Sequence, residues 1–270
     1  MYGSKLNYET HLFISGEDGT PSARELSGIG SFDIGYQNKP NLINPLGYSE
    51  GVTAIGGNTE QTVSFSRYLI YDDPILDFTG DKSMRASFNY DDNTSYGFNS
   101  GYLTQYSVNC AVGSVPKVNA SFSVYDEMKS GINSSGTTST SVYIPSQGSI
   151  SATCDNSSTN RVIGFDYSIT PKRKPYYTIG SEFAQEIKLI PPLEYSATVQ
   201  IDVDEVFMKS GYNFLETGNR EKTVNFTING RDGTLLQRLS IPNACLVDEK
   251  LTASADGSLR LTLGYVGHKS

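Results

Sequence analysis

The chain has 270 residues, with 29 acidic and 21 basic side chains and a formal net charge of −8. Tight binding of the whole chain to nucleic acid is not expected, because such binding depends on Lys and Arg neutralising phosphates. Tyrosine (18) and glycine (26) are abundant and tryptophan is absent, a composition that predicts β-structure with many turns.

In the first half, alternating apolar and polar residues predict a series of short strands: His11–Ile14, Ser31–Tyr36, Gln61–Tyr71 and Ser83–Tyr90. A long stretch from Gln37 to Glu60, dense in Gly, Asn and Pro, is predicted to be a loop. Loops of this length are usually functional or ordered by a partner. One short helix is predicted at Asp72–Phe78, where an Asp can cap the free N–H groups and Pro74 suits the first turn.

The clearest pattern is a hairpin within Ser100–Glu127. Two runs of alternating apolar residues flank the turn Gly113–Pro116: Tyr106, Val108, Cys110 and Val112 before it, and Val118, Ala120, Phe122 and Val124 after it. Two strands alone cannot bury enough surface to be stable, so this hairpin is predicted to belong to a larger sheet.

A domain boundary is predicted at residues 129–141, which are nearly all Ser, Thr, Gly and Asn, as in a flexible linker. The sequence is therefore interpreted as a first β domain over residues 1–128, a linker over 129–141 and a second β domain over 142–270.

The second half is interpreted as a repeat of the first. The segment around Phe165 matches that around Phe32, and a Lys-Pro pair, a Gly and a Glu follow in each. A second short helix is predicted at Asp204–Met208. Lys222–Asn229 and Ser258–Tyr265 are matched to the two strands of the hairpin. A constant offset over several elements predicts an internal duplication.

The basic run Lys172-Arg173-Lys174 interrupts an otherwise acidic chain. It lies in Lys172–Ile190, which is predicted to be the loop that matches Gln37–Glu60. The run is interpreted either as a contact with acidic surface on a neighbouring copy or with phosphate, or as a solvated turn.

No catalytic residue, metal ligand or cofactor is assigned. Cys110, Cys154 and Cys245 form no CxxC or Cys/His cluster and are expected to be free thiols in a reduced compartment, while His11 and His268 are isolated. No run reaches the roughly 18 apolar residues that span a bilayer, and the N-terminal apolar run is too short for a signal peptide. The chain is therefore not expected to be an enzyme or to bind a membrane.

The hairpin and the segment before it resemble a known family. Gly101–Val108 (GYLTQYSV), Val112–Pro116 (VGSVP) and the alternating strand that follows are similar to the tail tube proteins of tailed bacteriophages. The Asp-Pro-Ile-Leu turn and Thr79–Asp81 also resemble that family. The match is best over residues 30–127 and weaker over 142–270.

The resemblance implies an all-β fold of two tandem β-sandwich or barrel domains, each with one short helix. Six such domains would surround a channel in each ring, so a duplicated chain would form trimeric, pseudo-hexameric rings. Stacked rings would form the tail tube, the conduit for DNA ejection. The chain would then be a virion protein, made in the host cytoplasm. Its partners would be itself and other tail proteins (tape measure, terminator, distal tail), and phage DNA would pass without specific binding.

Residues of the two matching loops are the candidates for contacts between subunits and for ring stacking: Lys39, Tyr48, Lys172, Arg173, Lys174, Tyr176 and Tyr177. Two alternatives remain open. One is a distal-tail, hub or tail-completion ring protein on the same fold. The other is a carbohydrate-binding or adhesin β-sandwich that exposes tyrosines such as Tyr176 and Tyr177.

Overall fold

The structure is a computed structural model. It describes residues 11–37, 40–43, 46–47, 52–55, 60–70, 73–89, 94–132, 135–136, 145–154, 157–159, 161–204, 221–230, 232–253 and 259–269. Within these residues the chain is all-β, which confirms the predicted fold class.

The described part of the first half contains ten strands and one 3₁₀-helix: β1 (His11–Gly16), β2 (Arg24–Glu25), β3 (Ile29–Gln37), β4 (Pro40–Ile43), β5 (Val52–Ile55), β6 (Glu60–Tyr68), the 3₁₀-helix Pro74–Phe78, β7 (Met84–Asn89), β8 (Ser95–Ala111), β9 (Lys117–Val124) and β10 (Lys129–Ser130). The described part of the second half contains seven strands: β11 (Pro145–Cys154), β12 (Ser157–Thr159), β13 (Val162–Tyr176), β14 (Glu186–Asp202), β15 (Glu221–Gly230), β16 (Leu235–Ala253) and β17 (Leu259–Lys269). Fifteen of these strands form one antiparallel sheet, and β4 and β5 pair separately.

The predicted hairpin is confirmed as β8 and β9. Gly113 adopts a φ of 83° in the turn, a conformation that glycine adopts without steric cost. The Ser114 hydroxyl donates a hydrogen bond to the Ala111 carbonyl over 2.7 Å. The apolar side chains of both strands point into the core, where Tyr106, Val108 and Phe122 are fully buried. The sequence pattern therefore identified both strands and the buried face, except at Val112, which lies beyond the end of β8 in the turn and is 72% exposed.

The predicted short helix is confirmed as the 3₁₀-helix Pro74–Phe78. Asp73 is its N-cap, with a side chain that accepts a hydrogen bond from the Ile75 amide over 3.1 Å, and proline occupies the first turn. The second predicted helix, Asp204–Met208, lies almost entirely outside the described residues.

The two halves share one strand order. In the first half, neighbouring strands follow the order β1-β7-β8-β9-β6-β3, and in the second half they follow β11-β15-β16-β17-β14-β13. Strands that correspond in the two series come in the same order along the chain and have corresponding neighbours in the sheet. This equivalence supports the predicted internal repeat.

Three of the irregularities in the strand ladders occur at equivalent places in both halves. In the first half the register shifts between Ile29 and Ser31, between Met84 and Ala86, and between Leu103 and Gln105. In the second half it shifts at the equivalent places, between Val162 and Gly164, between Lys222 and Val224, and between Leu246 and Asp248. Bulges are specific features of a fold rather than accidents, so three shared bulges fix which residues correspond.

Aromatic packing beneath the sheet follows the same correspondence. Phe32 stacks on Phe88 with ring centroids 5.0 Å apart, and the equivalent Phe165 stacks on Phe226 with centroids 4.5 Å apart. The two halves therefore bury the same kind of ring pair at the same place in the core.

One predicted match in the second half was wrong. Lys222–Asn229 belongs to β15, which occupies the place of β7 rather than that of the first hairpin strand. The counterpart of that hairpin strand is β16, which sequence analysis missed. Its apolar alternation is interrupted by the bulge after Leu246 and by Pro242, so no strand pattern was visible.

The loop predicted at Lys172–Ile190 was also wrong for most of its length. Strands β13 and β14 continue through it as a paired hairpin, from Lys172 opposite Ile190 to Tyr176 opposite Glu186. The Lys174-Pro175 pair suggested a loop, yet proline is compatible with a strand at a sheet edge. The matching stretch Gln37–Glu60 likewise contains the paired strands β4 and β5.

The two halves join edge to edge. Strand β8 pairs with β13 from Tyr106 opposite Ile169 to Ala111 opposite Gly164, which makes the sheet continuous across the chain. The first residues of the predicted linker are ordered against the first half. Strand β10 pairs with β8, and Ile132 is buried. The domain boundaries remain a prediction.

Candidate functional site: the polar face and the free edges of the shared sheet

One face of the shared sheet carries short polar side chains. A row of directly opposed residues crosses six neighbouring strands: Ser31, Ser66, Asn119, Ser107, Ser168 and Ser196. The Ser31 and Ser66 hydroxyls lie 2.9 Å apart and those of Ser168 and Ser196 lie 2.7 Å apart. The opposite sides of these strands face the core, so the polar row covers one surface of both halves.

A shallow depression of about 340 Å³ lies on this face where the halves meet. Asn109 and Asp166 line it together with Ser107, Ser168 and Ser196 of the row. The Asn109 amide donates a hydrogen bond to the Asp166 carboxylate. Hydroxyls, amides and one carboxylate can bind water or a passing polar chain but supply no activated nucleophile. Among the residues that the structure describes, no group of three His, Cys, Asp or Glu side chains is placed to hold a metal ion.

Two edges of the sheet are formed by β3 and by the end of β16; the short strands β2, β10 and β12 also have a single described partner each. Within the described strands, β3 pairs only with β6, and the last part of β16, from Leu246 to Ala253, pairs only with β17. Unpaired edges present free N–H and C=O groups that can template pairing with another chain.

Side chains at both edges are exposed on the side that faces the core elsewhere. Tyr36 on β3 is 75% exposed, whereas its equivalent Ile169 is 3% exposed. Leu251 on β16 is 40% exposed, whereas its equivalent Val108 is fully buried. Ile169 and Val108 lie at the β8–β13 junction, where the strand of the other half packs beside them. The equivalent side chains at the free edges have no such neighbouring strand among the described residues.

The structure describes five of the seven predicted interface residues. Lys172 donates a hydrogen bond to Glu194 over 2.6 Å, and this bond holds the pKa of the exposed Glu194 carboxyl below its usual range. The Lys174 and Lys188 ammonium groups lie 5.3 and 5.4 Å from the centroid of the Tyr176 ring. Three of these residues are exposed: Lys172, Lys174 and Tyr176. Their contact with another copy remains a prediction.

The other two described residues are partly covered, and the remaining pair is not described. Tyr177 is half-buried just beyond β13, and the Arg173 side chain is only 1% exposed. Lys39 and Tyr48 lie outside the described residues.

Arg173 is bound within its own chain. Its guanidinium donates hydrogen bonds to the carbonyl of Gly80 and, over 3.4 Å, to that of Leu103. It also lies 5.4 Å from the centroid of the Tyr102 ring. Burial lowers the pKa of this guanidinium, while Asp81 opposes that shift. The Arg173 side chain thus links the β13–β14 hairpin of the second half to the end of the 3₁₀-helix of the first half.

Replacing Arg173 by alanine is expected to destabilise the fold by about 2 kcal/mol. The change removes the charged donor to carbonyl groups of the first half, and a hydrogen bond to a charged group contributes about 1.5–3 kcal/mol. The bond to Leu103 is long, at 3.4 Å, so the expected loss is that of about one such bond. Urea denaturation followed by circular dichroism measures the loss. The neighbouring exposed Lys174→Ala is the matched control and should change stability by less than about 0.5 kcal/mol. Equal losses in the two variants would contradict the assignment.

Sequence reasoning missed the buried cluster of Arg67, Asp73 and Tyr106. The Arg67 and Asp73 side chains are both 0% exposed, with their charged atoms 3.0 Å apart, and the Tyr106 hydroxyl donates to Asp73 over 3.0 Å. Burial, followed by the charge of Asp73, raises the pKa of Tyr106 well above its usual value. The Asp73 amide donates to the Gln237 side chain of the second half over 3.1 Å, so this cluster also links the halves.

Comparison with known proteins identifies no family for this chain. No protein-family model matches it, and no curated protein matches it. The described residues contain no helix that is long and apolar enough to cross a membrane.

Proposed function

We propose that the chain is a structural subunit that assembles into rings around a channel, and that the stacked rings form the tail tube of a bacteriophage. One observation carries the proposal: two copies of the same six-stranded unit are joined edge to edge into one sheet. A chain built in this way already contains one contact between repeated units. Ring assembly needs the same contact to be made again between chains.

When one edge of a subunit binds a different edge of the next subunit, the assembly can close into a ring. An interface in which one surface of a subunit meets a different surface of the next is heterologous, and such interfaces generate rings when the rotation closes. Ring closure also removes the free edges of β3 and β16, which would otherwise promote uncontrolled pairing.

The polar face is proposed to line the channel. Its row of five serines and Asn119 offers hydrogen bonds to water and contains no Lys or Arg. The register also places Lys117, Lys250 and Arg260 on this face, with Arg260 opposite Asp202. Lys172, which lies on the same face, is paired with Glu194. Because nucleic acids are retained by cations that neutralise phosphates, such a wall would let DNA slide past without binding.

Negative-stain electron microscopy with mass photometry of the purified chain tests this function. The proposal predicts particles of three chains with a central hole, and tubes of stacked particles at higher concentration. Closed rings that never stack would replace the tube by a tail-end or completion ring. A monomer at every concentration would overturn the ring proposal.

A further inference from the structure

We infer that one copy of this chain binds the next by pairing the end of its β16 with β3 of its neighbour, in the register that β8 and β13 adopt within one chain. The inference deepens the proposed function and rests on it, because it names the contact through which the subunits join. The partner is a second copy of this chain, bound head to tail.

The shared bulges identify which residues of the two edges correspond to the internal junction. Val108 lies three residues after Gln105, where regular pairing resumes after the bulge in β8, and Leu251 lies three residues after the equivalent Asp248 in β16. Ile34 and Tyr167 likewise lie three residues after Ser31 and Gly164, where pairing resumes after the bulges of β3 and β13.

Transferring the internal register to the free edges gives a specific antiparallel ladder. Within the chain, the β8–β13 ladder pairs Tyr106–Ile169, Ser107–Ser168, Val108–Tyr167, Asn109–Asp166 and Cys110–Phe165. Between chains, the inferred pairs are Glu249–Tyr36, Lys250–Gly35, Leu251–Ile34, Thr252–Asp33 and Ala253–Phe32.

Three of the five inferred pairs, Leu251–Ile34, Thr252–Asp33 and Ala253–Phe32, resemble in chemistry the internal pairs that they copy. Leu251 would meet Ile34, so that an exposed leucine and a half-buried isoleucine become covered. On the polar face, the Thr252 hydroxyl would donate to the Asp33 carboxylate, as the Asn109 amide donates to Asp166 within the chain.

Exposed apolar side chains at both edges also favour pairing between two copies of the chain. Tyr36, at 75% exposure, projects from the side of β3 that is otherwise core. On β16, Leu251 is 40% exposed. Pairing of the two edges would cover such side chains at each junction and continue the sheet.

Cysteine cross-linking in the assembled protein tests the inferred register. The on-register variant carries D33C and T252C, and the off-register variant carries D33C and K250C. Directly opposed residues lie within the Cα distance of a disulfide, whereas positions displaced by two residues do not fit its geometry. N109C with D166C, at the known internal junction, is the positive control for disulfide formation within one chain. The native cysteines remain in all variants, and the unmodified chain gives the background.

After mild oxidation, the on-register variant should form covalent multimers in roughly tenfold or greater excess over the off-register variant. Reduction should return these multimers to single chains. Multimers of equal yield in both variants would overturn the register. Rings in micrographs without on-register cross-links, while the internal control forms its disulfide, would overturn this inference and leave ring assembly standing. The absence of both rings and cross-links would overturn both proposals.

Discussion

Replacing Asp73 by alanine is expected to lower the free energy of unfolding by about 3–5 kcal/mol, because it leaves the buried Arg67 guanidinium without its carboxylate partner. The two charged atoms lie 3.0 Å apart, and neither side chain is exposed. The same substitution removes the N-cap of the 3₁₀-helix and the acceptor of the Tyr106 hydroxyl. Chemical denaturation of the variant and the parent chain under identical conditions measures the difference.

The Arg24–Asp77 pair provides the matched control for Asp73. Its atoms lie at the similar distance of 2.8 Å, but the two side chains are 33% and 50% exposed. Exposed pairs contribute at most about 1 kcal/mol, so Asp77→Ala should have a small effect. If Asp73→Ala were no more destabilising than Asp77→Ala, the buried cluster would not stabilise the fold in the way described.

Replacing Leu251 by aspartate is expected to prevent ring assembly while leaving the single chain folded. Leu251 is partly exposed on the free edge of β16, so the change disturbs the subunit little before assembly. In the inferred contact the aspartate would be buried against Ile34, where loss of apolar burial and desolvation of the charge together cost about 3 kcal/mol or more. That cost corresponds to a roughly 100-fold weaker contact, which mass photometry over a concentration series can measure.

Leu235→Asp controls for the chemical change itself. Leu235 is 49% exposed and begins the same strand, but there it pairs with β15 and lies away from the free edge. This variant should assemble as the parent chain does. Assembly that is lost equally in both variants would point to a general effect of the added charge, and assembly that persists in Leu251→Asp would contradict the edge contact.

Local patterns were enough to predict the hairpin and the capped turn. Alternation in β8 and β9 reports directly which side chains are buried, and Asp73 with Pro74 supplies the cap and fixed φ that start a helical turn. The repeat was also visible at Phe32 and Phe165, because both rings occupy the same place in the core.

The features that were not predicted depend on contacts between segments that are distant in the sequence. A bulge displaces the alternation within β16, so its apolar residues no longer follow period two. The basic run suggested a solvated or intersubunit surface, yet Arg173 lies against carbonyl groups that come from residues about ninety positions earlier. No local pattern distinguishes the exposed Tyr36 from the buried Ile169, since only the presence of a neighbouring strand separates them.

The number of repeated lobes in projections of the assembled particle tests the central claim most directly. Two equivalent units per chain, joined through equivalent contacts, predict a ring whose lobes number twice its chains: six lobes for a particle with the mass of three chains. Electron-microscopy class averages count the lobes, and mass photometry of the same sample counts the chains. A closed dimer with twofold symmetry, or a ring with one lobe for each chain, would contradict the account.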